Sequence, residues 1–546
     1  MKVARSPAGI DSLPVNTRRR KHWGWGYEDQ QPDIDHVRAS ATALAAHMGL
    51  PLGEVREPVP IEHVTLAPPR ISAPASLAGI CTHDTHARAC HALGKSYSDL
   101  IRGFNGHFEF PPDLVARPRD EQDIERVLEW CSGERIAVIP YGGGTSVVGG
   151  VTPDIGRGYN GTVSLDLGEL GRVLEIDDVS RAARIQAGAF GPVLERELAE
   201  SGLTLRHFPQ SFEFSTLGGW IATRAGGHFA TVWTHIEDFV ESVRAITPIG
   251  VWESRRLPGS GAGISPDRML AGSEGVLGVI TQAWVRVQPR PTERRSAGVR
   301  FSTFAAGTDC VRAISQSGLH PANCRLLDAG EAQLTMAADG GDALLVLGFE
   351  SADHPVGEAM ARALALCAEH GGSADEGAGT GSVADSVSSW REAFLGAPYM
   401  RDVLVAAGIL AETFETAVTW DRFPVFHRRV SAAAEQALAE SCGEHGRVFC
   451  RFTHVYPDGP ALYFTVLAPA IRGQEVEQWD AIKQAVGDAI IAEGGTITHH
   501  HAVGRDHRPW YDRQRPDPFA SALEGAKEAV DPAGVMNPGV LIDPWA

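Results

Sequence analysis

The sequence has no apolar run near the ~20 residues that a membrane-spanning helix needs. It also lacks the charged start and apolar block of a secretory signal. Neither a membrane span nor export is expected. The eight cysteines include no CxxC pair, which leaves a reducing cytoplasm as the expected compartment. Dense basic patches are missing too: the formal charge is −19, and nucleic acid is excluded as a partner. One short basic cluster, Arg18, Arg19, Arg20 and Lys21, reads as a solvated arm, with a lipid-surface contact as the alternative. There is no internal repeat and no extended low-complexity tract.

What is present is a chain of 546 residues, long enough for two or three domains and a large core. The stretch 22–27 is aromatic and glycine-rich and is expected to pack on the body or on a partner. A helix is expected over Val37–Met48, then a proline-rich linker over 58–74. Cys81, His83, His86, Cys90 and His91 form a local cluster without a familiar zinc spacing; it reads as a helix with surface histidines. Short strands at 114–116 and 136–139, with a helix from 119 between them, give a small mixed lobe. Strands and loops alternate from 160 to 290, and 291–500 reads as a second domain. Its segment 371–381 is expected to be a mobile loop.

Three glycine-rich turns carry the strongest signal. The first follows a short strand: Pro140, Tyr141, Gly142, Gly143, Gly144, Thr145 and Ser146. Consecutive glycines free the backbone, and successive N–H groups can form a nest for diphosphate oxygens. No helix-opening GxGxxG follows, and no Lys-Ser or Lys-Thr of a P-loop. The second turn spans 208–227 and the third 272–280. A ligand lying in an extended groove explains all three.

The second domain carries the ionisable candidates. His499, His500 and His501 are adjacent, and in a strand they would alternate faces, so they share one site only if the backbone turns. Structural histidines at a strand end, acid–base chemistry and a metal site without an accompanying acid or thiol are the three readings. Tyr463 and Thr465 share a face of an expected strand, opposite Leu462 and Phe464. Arg401 is a candidate phosphate clamp, although an arginine followed by aspartate is more often paired or exposed.

The glycine turns at 140–146, 214–219 and 272–278 resemble the FAD-binding loops of the vanillyl-alcohol-oxidase type flavoproteins. Within that superfamily the chain resembles the alkyldihydroxyacetonephosphate synthase group, through 23–27, 211–216, 222–225, 414–416 with 420–422, 499–504, Asp531–Pro532 and Asn537. The resemblance runs from about Trp23 to Leu541 and implies an α+β fold. It implies an N-terminal segment (1–110), a two-lobed FAD domain (111–290), an α+β cap (291–500) and a C-terminal segment returning to the flavin (501–546). Non-covalent FAD is implied, held by 140–146, by Gln210, Ser211, Phe212, Glu213, Phe214, Ser215 and Thr216, by Thr223, Arg224, Ala225 and Gly226, and by Ser273, Glu274, Gly275, Val276, Leu277, Gly278, Val279 and Ile280.

The implied reaction has no net redox change. Acyl-dihydroxyacetone phosphate exchanges its fatty acid for a long-chain alcohol, and the flavin holds the substrate while the acid leaves. Tyr463, His500 and His501, with His499, are implied in proton transfer, and Arg401 in holding the phosphate or ester. A homodimer is implied, with an apolar tunnel in the cap. No peroxisomal targeting segment is evident, so a cytoplasmic place against the inner membrane surface is expected. Ala502 departs from the glycine of the group, and the aromatic character around Thr465 is reduced. The competing readings are an FAD-linked 2-hydroxy-acid oxidase or dehydrogenase and a flavin-binding protein without catalysis; the fold alone does not separate them.

Overall fold

A computed structural model of the chain describes residues 18–229, 231–337, 341–375 and 385–545. The expected loop 371–381 therefore lies in part, over 376–381, outside the described residues. Three larger sheets organise what is described. In the first, Leu114–Ala116 and Ile136–Tyr141 flank Gly161–Asp166 in parallel, with Cys81–Thr82 as an antiparallel edge. The helix Glu121–Glu134 makes the crossover, capped by the Asp120 carboxylate and buried along Ile124, Val127, Leu128 and Cys131. Its C-terminal neighbour Ile136–Tyr141 is an apolar strand buried at its start, as a covered parallel strand should be.

The second sheet is antiparallel, in the spatial order 173–177, 182–186, 279–286, 240–247, 250–253. The chain end returns to the first lobe: Met536 bridges Val138 in parallel, and Val138 N–H donates to Val535 O at 2.8 Å. The third sheet is antiparallel, in the order 373–374, 293–301, 343–351, 323–327, 447–455, 460–469, 409–417. The helices Phe304–Gln316, Gly357–Glu369, Phe423–Cys442 and Glu475–Ala492 bring apolar faces to its core.

The N-terminal segment corrects two expectations. The basic cluster is not a solvated arm. Lys21 is buried against Asp402 at 3.0 Å, and Arg20 lies over Phe214 and donates to the Gly143 carbonyl at 2.8 Å. The aromatic stretch packs inward as expected: Trp23, Trp25 and Tyr27 are buried, with Trp23 edge-on to Phe104. Asp402 thus pairs with Lys21 and the Trp25 N–H rather than with its neighbour Arg401. Of the early cysteine–histidine cluster only His83 lies exposed. His91 is buried against Asp166, and His86 reaches the Arg20 carbonyl.

Candidate active site

Between the second and third sheets lies one cavity of about 700 Å³. The first glycine turn forms part of its wall, with Pro140, Tyr141, Gly142, Gly143, Gly144, Thr145 and Ser146 all facing it. Among the described residues, the backbone N–H groups of Gly142 through Ser146 find no protein acceptor, which leaves a row of donors for an anionic ligand. The glycines answer to packing as well. A Cβ on Gly143 would lie 1.7 Å from the Phe214 carbonyl oxygen, and one on Gly142 would lie 2.3 Å from Thr216 Oγ1. Bare backbone is what lets the first and second turns meet.

The structure sorts the expected FAD-contacting residues. Gln210, Ser211, Ser215 and Thr216 face the cavity, as do Thr223, Ala225 and Gly226, and Glu274, Gly275, Gly278 and Ile280. Others do not. Phe212 stacks on Trp220, and Glu213 turns out to accept from the Tyr399 hydroxyl at 2.8 Å. Phe214 joins Trp25, Tyr27 and Tyr399. Arg224 forks onto Glu237 with contacts of 2.5 and 2.8 Å, a surface ion pair. Ser273 is buried, and Val276, Leu277 and Val279 are core residues; a strand-ending turn alternates inward and outward side chains, so half of any such run faces the core. Glu274 also anchors the returning C-terminal segment: it accepts the N–H groups of Val503 and Gly504 at 2.9 and 2.8 Å, and burial pushes its carboxyl up to about 7.

The opposite wall is the third sheet. Register sets Glu415 opposite Tyr463 and Tyr463 opposite Arg451, three neighbours in one cross-strand row. Tyr463 and Thr465 face the cavity, while Leu462 and Phe464 are fully buried on the other side, as alternation requires. The Arg451 guanidinium lies over the Tyr463 ring at 3.9 Å and is ion-paired with Glu331. A register shift between Phe452 and His454 breaks the alternation, so that Thr453 and His454 both face the cavity.

The triple histidine is not a strand. Its backbone turns around Glu415, which accepts the N–H groups of His499, His500 and His501 and the Thr498 hydroxyl, the last two at 2.9 and 2.6 Å. Glu415 is fully buried. Burial alone would raise its carboxyl, but the nearby His501 and His499 rings and the Thr498 hydroxyl hold it below the usual range. Ala502 closes the turn at φ +71°, a left-handed position where glycine would carry no strain. His500 and His501 face the cavity together on one side of Tyr463, with ring centroids 6.1 and 5.7 Å from it and 4.8 Å from each other. His499 stands behind them: its Nε2 meets the Tyr456 hydroxyl at 2.7 Å and its Nδ1 meets His500 Nδ1 at 3.1 Å.

Burial, then the neighbouring His501 and His499 charges, holds His500 well below the usual imidazole value. Burial also lowers His501, against the pull of Glu415. Both are free bases at neutral pH. As a general base, either imidazole would put the acid limb of kcat/KM below pH 6.5, since its protonation in the free enzyme comes later than in a free imidazole; a limb at or above 6.5 in a pH–rate profile would contradict this.

Arg401 reaches the same cavity from the helix Asp385–Ala407, so Arg401, Tyr463 and the pair His500 and His501 do converge there, while His499 does not line it. Sequence reasoning missed Glu415, Arg451, His454 and Arg325. Arg325 is 2% exposed, faces the cavity, donates to the His228 carbonyl at 2.8 Å and, among the described residues, has no partner for Nε. Burial, and then the Arg451 charge, pushes its guanidinium down to about 9. A buried cation without a carboxylate calls for an anion in the cavity. The cavity wall also carries the apolar side chains Leu44, Leu334, Met400 and Leu404, with the Trp390 and Phe394 rings 5.0 and 5.3 Å from the Arg325 guanidinium.

Comparison with known proteins agrees with this geometry. Residues 112–254 match the family described as FAD binding domain, and 290–541 match FAD linked oxidases, C-terminal domain. The chain is 30% identical to the alkyldihydroxyacetonephosphate synthase of Trypanosoma brucei brucei over 84% of its own length and 78% of that protein. It is 31% identical to the synthase of Dictyostelium discoideum, with the same coverage of each. A solved alkyldihydroxyacetonephosphate synthase structure superposes with a TM-score of 0.80 at 26% identity, covering 96% of this chain and 99% of that one. The unpartnered N–H row at Gly142–Ser146 suits the diphosphate of FAD, and the chain is an FAD-binding protein. With the glycine turns, the histidine turn and these relatives in agreement, the chain belongs to the alkyldihydroxyacetonephosphate synthase family.

Proposed function

We propose that the chain makes the ether bond of an ether-lipid precursor, replacing the acyloxy group of acyl-dihydroxyacetone phosphate by the alkoxy group of a long-chain alcohol. The observation that carries this reading is one cavity in which a buried cation without a carboxylate among the described residues, two neutral imidazoles, a phenol and apolar side chains meet the FAD-binding turns. Arg325 and Arg401 match the phosphate in charge. The apolar side chains of the wall match an alkyl chain, at about 0.8 kcal/mol per buried methylene.

FAD, when bound, contributes a ring whose reduced form is a nitrogen nucleophile. The residues of this chain bind, orient and move protons. The C1–O bond to the acyl group breaks and a C1–O bond to the alkyl group forms; the acid leaves with the bonding pair. One proton leaves C1 and one returns to it, while the alcohol loses its own. His500 and His501, neutral and beside Tyr463, are placed to accept and return these protons. Glu415 and Arg451 position the imidazoles and the phenol. The family membership favours this reaction over hydroxy-acid oxidation.

Tyr463→Phe is expected to keep bound FAD and to lose at least about a hundredfold in rate, the lower range for a lost acid–base group. Unchanged turnover, measured as alcohol incorporated into ether, would remove Tyr463 from the mechanism. The reading further includes non-covalent FAD, released into the supernatant by acid precipitation, and a homodimer working in the cytoplasm at the inner membrane surface, where its long-chain substrates partition. Anaerobic bleaching of the flavin by D-lactate or glycolate, without ether formation, would replace this reading by a hydroxy-acid dehydrogenase.

A further inference from the structure

The histidines that surround the proton chemistry also have the arrangement of a metal site. One ring nitrogen from each of His454, His499 and His500 lies within 4.8 Å of the others. His454 Nε2 sits 2.8 Å from the Gly227 carbonyl; a carbonyl only accepts, so the hydrogen is on Nε2 and the lone pair on Nδ1. His499 and His500 present their Nδ1 atoms to each other at 3.1 Å. A tetrahedral zinc ion with bonds of about 2.0–2.1 Å needs its ligand nitrogens about 3.3 Å apart. Small ring rotations would open the observed gap to that edge.

We propose that His454, His499 and His500 form a binding site for a borderline transition cation of the zinc class, and that its occupation shuts the enzyme off. Three imidazoles without a directly bound carboxylate disfavour magnesium and calcium and suit zinc, cobalt or nickel. The outer shell is already in place. The Gly227 carbonyl orients His454, and the Tyr456 hydroxyl, itself 3.0 Å from Thr234 Oγ1, holds His499 Nε2. The Glu415 carboxylate supplies negative charge 3.5 Å from His500 Nδ1. When the cation binds, His499 carries its hydrogen on Nε2 and donates it to the Tyr456 oxygen, while Tyr456 donates to Thr234; no proton is lost from the cluster. His454 and His500 face the cavity, which gives the ion its path and leaves a fourth position for water. The ion occupies the lone pair with which His500 would take a proton. This inhibitory part rests on the proton role proposed above; the binding part does not.

The experiment uses holoenzyme freed of metal by a chelator. Cobalt(II) should produce visible d–d bands of a tetrahedral site at wavelengths beyond the flavin absorption, and zinc should quench them with a stoichiometry of one ion per chain. His454→Asn and His499→Asn, checked for retained FAD, should each weaken zinc binding by at least about tenfold, the smallest loss seen when even an outer partner of a metal ligand is removed. Zinc should suppress ether formation in proportion to occupancy, a chelator should restore it, and magnesium should do neither. Absence of the cobalt bands, or zinc binding that is the same in both variants, would overturn the site. Site-specific binding with turnover untouched would overturn the inhibitory role. If the chain makes no ether at all, the cobalt bands still decide the metal site, so the two readings fail separately.

Discussion

Glu415→Ala is expected to keep FAD and lose at least about a hundredfold in turnover, with a stability loss of about 3 kcal/mol or more. The variant leaves the N–H groups of His499, His500 and His501 and the Thr498 hydroxyl without their acceptor, in a place that water does not reach. Each buried donor left unpaired costs about 1–3 kcal/mol, and the turn has the alternative of unwinding. Unwinding moves His500 and His501 away from Tyr463, while the FAD-binding turns, built from the other two sheets, keep their contacts. Glu415→Gln is the sharper variant: the volume stays, one accepting oxygen is replaced by an NH2 group, and the same direction of effect is expected. Thermal unfolding and alcohol incorporation, measured on protein of equal flavin content, check this. Wild-type turnover in Glu415→Ala would show that the histidine turn does not depend on the carboxylate.

Gly143→Asp is expected to abolish FAD binding. The reason lies in the protein before any ligand is considered: the new Cβ would fall 1.7 Å from the Phe214 carbonyl oxygen and 2.9 Å from Ser215 Cα. Neither atom is the movable end of a side chain, so the two turns must separate and the row of N–H donors is lost. The carboxylate adds repulsion toward a diphosphate. Gly133→Ala is the matched control, since a Cβ there meets nothing within 4 Å and alanine favours its helix. Purified Gly143→Asp should be colourless and Gly133→Ala yellow; flavin retained by Gly143→Asp would contradict the placement of the cofactor.

The glycine turns were legible as a set, since three of them within one stretch point to a ligand in an extended groove, and the resemblance names that ligand as FAD; the alternation in 460–469 gives the face of Tyr463 directly. The triple histidine was not. Its geometry depends on a carboxylate 84 positions away, on a neighbouring strand, and periodicity within the segment carries no trace of that partner. Arg325 and Arg451 were invisible for a related reason. An arginine in a strand reads as a solvent-facing residue, and only the assembled third sheet reveals that these two point into a cavity. His454 was hidden by the register shift beside it, which no rule of alternation anticipates. The basic cluster at 18–21 was misread because its partners, Asp402, Phe214 and the Gly143 carbonyl, are distant in the chain.

The central claim is that the alcohol displaces the acyloxy group at C1 of a phosphorylated ketone. The most direct test is an anaerobic incubation of the holoenzyme with acyl-dihydroxyacetone phosphate and a long-chain alcohol labelled with oxygen-18, read by mass spectrometry. The account predicts that the label stays in the ether product and that the fatty acid is released with no label. Label recovered in a fatty ester, or no ether at all from protein that carries FAD, would contradict it.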